Sequence, residues 1–176
     1  MKSIISITKM SFLALAFLVI SCAGGDDNGG GGTTTANGTI KAKVGGANFT
    51  SLAAATTAMK VATGNNFLIQ LLGTSSTGKA LSLTLAEVPA TTGTYDIGGD
   101  NLISVAGSFV DTNISNPQAS PTYVAPWDGG GVAGSITITE ITDTKIVGTF
   151  HFTAKNQADQ TDVKEVTNGA FNVNFQ

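Results

Sequence analysis

Short stretches in which apolar and polar residues alternate with a period of two recur along most of this 176-residue chain. Ile40, Ala42 and Val44 alternate with Lys41 and Lys43. Leu81, Leu83 and Leu85 alternate with Ser82 and Thr84. Ile146, Gly148, Phe150 and Phe152 alternate with Val147, Thr149 and His151, and Phe171, Val173 and Phe175 with Asn172 and Asn174. Phe67, Ile69 and Leu71, then Ile103, Val105, Gly107 and Phe109, then Ile136 and Ile138, repeat the pattern. Successive side chains of a strand point to opposite faces, so each run predicts a strand with one face to a core.

Turn chemistry separates the runs. Gly45-Gly46, Gly64-Asn65-Asn66, Gly98-Gly99-Asp100-Asn101, Asp143-Thr144 and Asn168-Gly169 supply the residues that tolerate tight or left-handed backbone. Asp143-Thr144 is predicted to close a hairpin between 134–142 and 145–155, and Asn168-Gly169 to precede the last strand. Leu52 to Met59 is alanine-rich and is read as a candidate helical turn, against its paired threonines. Many short strands with one apolar face each predict an all-β domain, an antiparallel β-sandwich, with a small closed β-barrel as the alternative. A transmembrane barrel also alternates. It is set aside because aromatics make up only 7% of residues and no interfacial girdles are evident.

The first segment gives an address. Lys2 and Lys9 precede an apolar run from Phe12 to Ile20, which ends in Ser21-Cys22. The run is shorter than the roughly 20 residues a membrane-crossing helix needs, and it reads as a secretory signal peptide. Leu18-Val19-Ile20-Ser21-Cys22 resembles the lipobox of a bacterial lipoprotein. That resemblance implies removal of residues 1–21 and acylation of Cys22 with chains such as palmitate, which hold a protein on a membrane without spanning it. Cys22 is the single cysteine, so an internal disulfide is excluded. Residues 22–37 are rich in glycine, aspartate and threonine and read as a flexible linker. Asp26-Asp27 resembles the surface-export signal of Bacteroidota lipoproteins, which points to an outer-membrane anchor facing the cell surface. A periplasmic face is the alternative. Residues 38–176 are long enough for one domain.

Charge narrows the partners. The nine basic residues are all lysine. Without Lys2 and Lys9, seven lysines face twelve acids, a net charge of −5 for residues 22–176. An acidic chain without arginine lacks the fork that reads phosphates, so nucleic acid is excluded as a partner.

Motifs spread over the domain also resemble a group of small Bacteroidota lipoproteins that carry an all-β domain of unknown function. They are Lys41-Ala42-Lys43-Val44-Gly45-Gly46-Ala47-Asn48-Phe49, Thr92-Gly93-Thr94-Tyr95-Asp96-Ile97, Gly134-Ser135-Ile136-Thr137-Ile138-Thr139, Val147-Gly148-Thr149-Phe150-His151-Phe152-Thr153-Ala154 and Asn168-Gly169-Ala170-Phe171-Asn172-Val173. The resemblance implies the fold and brings no activity, catalytic residue or cofactor.

The residues themselves offer little chemistry. His151, the single histidine, falls on the polar face of its strand, and no nucleophile elbow accompanies it. Glu87, Glu140 and Glu165 sit in no distinctive motif. Gly129-Gly130-Gly131 lacks the lysine and hydroxyl of a phosphate loop. Asp96 and Asp100, and Asp159 and Asp162, are weak calcium candidates without EF-hand spacing, so no metal is assigned. The segment from Asn113 to Gly131 is read as a loop, and its Tyr123, Trp127 and Asp128 are the candidate binding residues, because aromatics on rigid β scaffolds stack on sugars or fill partner pockets. The chain is therefore expected to be a non-catalytic, lipid-anchored β-domain. Its expected partners are the membrane, through acylated Cys22, and a glycan or protein. A carrier of a small apolar ligand and a structural surface protein are alternatives, and a hydrolase is a more distant one.

Overall fold

The structure is a computed structural model that describes residues 35–99 and 104–176. The signal segment, Cys22, most of the linker, Asp100, Asn101 and Ile103 lie outside the described residues. Ten strands follow in order: β1 Thr39–Val44, β2 Ala47–Thr63, β3 Asn66–Ser75, β4 Ala80–Val88, β5 Gly93–Gly98, β6 Val105–Val110, β7 Thr122–Ala125, β8 Val132–Ile141, β9 Lys145–Asn156 and β10 Val163–Asn174. Every pairing between these strands is antiparallel. No helix among the described residues is long and apolar enough to cross a membrane.

The sandwich expectation gives way to its barrel alternative. The strands join in the order β10-β1-β2-β3-β4-β6-β7-β9, and β9 returns to β10, so eight strands close a ring. Alternation alone cannot distinguish the two folds, because each gives every strand one buried face. Closure depends on β10, which pairs with β1 on one edge and β9 on the other. The sheet also forks at β9. One edge of β9 takes β8 from Ile146 to Phe152 and β7 at Lys155 and Asn156, and β8 carries β5 beyond it.

Side chains fill the interior. Ile40, Ile69, Leu71, Leu81, Leu83, Leu85, Ile136, Phe152 and Phe171 are all essentially inaccessible. The polarity, apolar inside and rich in hydroxyls outside, is the reverse of a membrane barrel with a polar lumen. Three inward phenylalanines lie directly opposite glycines on the paired strand: Phe150 opposite Gly169, Phe171 opposite Gly148 and Phe152 opposite Gly134. At Gly148 and Gly169 the absent Cβ leaves room for the ring, and at Gly134 for the close approach of the β9 backbone.

Two local expectations are corrected. The alanine-rich stretch of β2 is not a helical turn. Leu52 to Ala55 stand opposite Thr74 alone, a wide bulge in a continuing strand. Polar groups hold it: the Ser51 hydroxyl accepts the Ile40 amide at 2.8 Å, and Thr56 Oγ1 sits 2.7 Å from both Ser51 Oγ and the Leu52 carbonyl. Asn168-Gly169 does not precede the last strand but interrupts it. The register of β10 on β9 shifts between Val166 and Gly169, with Asn168 at φ 51°. The hairpin at Asp143-Thr144 forms as expected, with Ile141 opposite Ile146.

Candidate functional site

The segment from Asn113 to Gly131 is not one loop. Asn113 Oδ1 accepts the amides of Ser115 and Asn116 at 3.1 Å each, which starts a tight turn into the short 3-10 segment Pro117–Ala119. The chain then enters β7, and a second turn follows from Pro126. Alternation within β7 turns Tyr123 and Ala125 inward and leaves Val124 outside.

Tyr123 is therefore not a loop-tip aromatic. It is 3% exposed, its ring packs against Phe109 at 6.3 Å, and Lys164 Nζ lies 4.8 Å from the ring centre. Its hydroxyl donates to Asp162 Oδ2 at 2.7 Å, and Asn156 Nδ2 donates to the same oxygen at 3.0 Å. Burial, then the bond to Asp162, pushes the Tyr123 hydroxyl up to about 12. The bonds from Tyr123 and Asn156 hold the Asp162 carboxyl below its ordinary range. The two groups act at opposite ends of the pH scale. The raised tyrosine contributes stability below its ordinary value of 10.0, and this is lost as pH rises towards about 12. The depressed aspartate contributes stability above its ordinary value of 3.8, and this is lost as pH falls through its lower folded value. Tyr123→Phe is expected to flatten the alkaline fall and to reduce the acid one in a urea-midpoint profile. An alkaline limb as steep as the wild type's would exclude this role.

Trp127 does stand at the surface. The turn from Trp127 to Gly130 closes through the Gly130 amide on the Trp127 carbonyl at 3.1 Å. The indole lies over Gly130, where a side chain would meet Nε1 at 2.8 Å. Lys155 Nζ sits 4.8 Å from the indole centre. The half-buried ring forms one wall of an open groove of about 460 Å³ on the outside of the barrel. Its floor is Ser82 and Thr84 of β4, Ala106 and Ser108 of β6 and Val124 of β7, with Gln157 and the exposed Asp128 at the rim. Ser82 Oγ and Ser108 Oγ lie 2.8 Å apart. An aromatic wall over a floor of hydroxyls offers a surface for stacking and hydrogen bonds. Ser82 and Thr84 were legible as an outward face. Their place beneath Trp127 was not, because it depends on β4, β6 and β7 becoming neighbours.

The remaining candidates are dispersed. Asp159 Oδ1 accepts the Thr161 hydroxyl at 2.6 Å and its amide at 3.0 Å, bonds that lower its pKa. Asp162 is engaged with Tyr123 and Asn156. Both therefore hold their own loop together. Asp96 is exposed on β5, opposite Ser135. His151 is exposed on β9. Glu87, Glu140 and Glu165 lie on β4, β8 and β10, and Glu140 pairs with Lys145 at 3.3 Å. Among the described residues no three His, Cys, Asp or Glu side chains converge. A second cleft, of about 530 Å³, lies at one end of the barrel between Asn48, Thr77, Lys79 and Lys164. There both lysines are drawn to Asp111, at 2.8 and 3.7 Å.

Neither the curated proteins nor the solved structures contain a match to this chain. One family model matches it, over residues 36–173: the domain of unknown function DUF6252.

Proposed function

The chain belongs to the DUF6252 family, and from that premise we propose that it is a lipid-anchored, non-catalytic binding module of the outer cell envelope of a Bacteroidota bacterium. Cys22 is the proposed anchor, residues 22–37 are the tether, and Asp26-Asp27 sends the domain to the cell surface. The barrel is the scaffold, and the Trp127 groove takes a glycan or a protein partner from outside. The observation that carries this reading is the groove itself, a half-buried indole beside a hydroxyl floor on a rigid wall. The filled interior turns ligand binding to the outer wall, so the carrier reading has less support. Among the described residues the carboxylates are dispersed and the histidine is exposed, which gives the hydrolase reading less support.

The address and the site are tested separately. Protease added to intact cells is expected to clip the wild type and to spare Cys22→Ala. Protection of the wild type until the outer membrane is opened would remove the surface assignment. Trp127→Ala is expected to weaken binding to glycans or envelope proteins by about tenfold or more, the scale of a buried aromatic anchor. Unchanged binding would remove the groove as the site.

A further inference from the structure

The Trp127 groove is one end of a longer surface. Directly paired residues form a continuous outward row across six strands: Thr57, Leu72, Ser82, Ser108, Val124 and Lys155. A neighbouring row runs through Met59, Gln70, Thr84 and Ala106. At the far end these rows line a second depression of about 550 Å³ beside Met59, Leu72 and Gln70, and Ser82 belongs to both depressions. The middle carries short side chains and the ends carry large ones, Met59 and Leu72 at one and Trp127 at the other. At roughly 4.8 Å between strands, the longer row runs about 24 Å along the curved outside of the ring, more than a disaccharide covers.

Between its ends this wall is uncharged, and Lys155 and Asp128 stand at its Trp127 end. β3, β6 and β7 contain no charged residue, and β4 contains only Glu87 near its end. The single charge of β2, Lys60, shares the inward phase of Ala58 and reaches the Phe67 and Phe175 rings and Asp143 at one end of the barrel. Every other strand carries at least one Lys, Asp or Glu. Solvated strand faces are ordinarily charged. Here Met59 and Leu72 are instead 42% and 45% exposed.

We infer that the wall from β2 to β7 is a trough for a linear, uncharged polysaccharide, with Trp127 stacking on one sugar and the Leu72–Met59 platform holding another further along the chain. Sugars present apolar C–H faces and hydroxyl edges. The trough offers apolar platforms at its ends and hydroxyl and amide groups between them, with no charge to desolvate along that middle stretch; Lys155 and Asp128 stand beside Trp127 at one end. This inference rests on the groove reading and extends it from one sugar to a chain.

The test uses the full-length protein in detergent. Its probes are the hexasaccharides of β-1,3-glucan, β-1,4-glucan and β-1,4-mannan, each with its disaccharide, measured by calorimetry. At least one hexasaccharide is expected to bind about tenfold tighter than its disaccharide. Leu72→Lys is expected to remove that difference and leave disaccharide binding intact, and Trp127→Ala to weaken both. Equal affinity for both lengths, with Leu72→Lys neutral, overturns the trough and leaves the groove reading standing. Hexasaccharide binding that ignores Trp127→Ala overturns the groove reading itself. Failure of all three hexasaccharides to bind overturns the trough. Self-association that Leu72→Lys abolishes would then identify the wall as an interface between copies of this chain.

Discussion

Gly148→Ala is expected to be among the most damaging single substitutions in this domain. Gly148 lies on β9 opposite Phe171, and an added Cβ would run into the Thr137 carbonyl and meet Phe171 Cζ at 2.5 Å. One obstacle is backbone of the paired β8 strand, and the other is a ring with no accessible surface. Neither can step aside without opening the sheet. Overpacking usually costs about 1–3 kcal/mol, and this site belongs at or beyond the top of that range. In a domain of this size that is a fall of roughly 10 °C in Tm. Gly131→Ala is the control, because nothing lies within 4 Å of the point where its added methyl would stand. Thermal melts followed by circular dichroism compare the two, and equal Tm values would sink the argument.

Phe152→Ala is expected to cost about as much from the opposite cause. The Phe152 ring lies against Gly107 of β6, where an added Cβ would meet its Cε1 at 2.7 Å. It occupies the fork of the sheet, just where β8 leaves β9 and β7 takes over. Truncating a buried phenylalanine costs about 3–5 kcal/mol, and less where neighbours can collapse into the space. Here the strand facing the ring carries Gly107, which has no side chain to move in, so the upper end of that range applies. Urea denaturation measures it. Gly107→Ala is expected to be partly rescued by Phe152→Leu, since the three atoms nearest the added methyl all belong to that ring. Strictly additive losses would show that ring and glycine are not coupled.

The strands that follow strict alternation were legible because each carries its own signal. Ile40 with Val44, Leu81 with Leu85 and Phe150 with Phe152 name their buried face without reference to any partner. What escaped was set by partners. β2 reads poorly because Leu52 to Ala55 leave the register and only Ser51 and Thr56 mark where it resumes. β7 has four residues, too few to show a period. Its Tyr123 lies in a stretch full of proline and glycine, so the ring looked exposed. The carboxylate that fixes it, Asp162, is 39 residues away in sequence. Trp127 was recognised from its turn-rich surroundings, but the floor it faces comes from three strands that only the closed barrel makes adjacent. The same limit applies to sandwich against barrel: one ladder, β1 on β10, joins the first strand to the last, and no local pattern encodes it.

That ladder also sets the order of events as the chain folds. β10 is the last strand of the domain and is hydrogen-bonded on both edges, so the ring cannot shut until the C-terminal stretch has arrived. Until then β1 and β9 expose open edges, and most contacts the barrel needs are distant in sequence, a topology that folds in milliseconds to seconds and not microseconds. A chain synthesised from its N-terminus thus cannot close its ring before its tail has been made. Compaction waits for delivery of the final strand, and a chain that stalls before that point presents two adhesive edges to its neighbours.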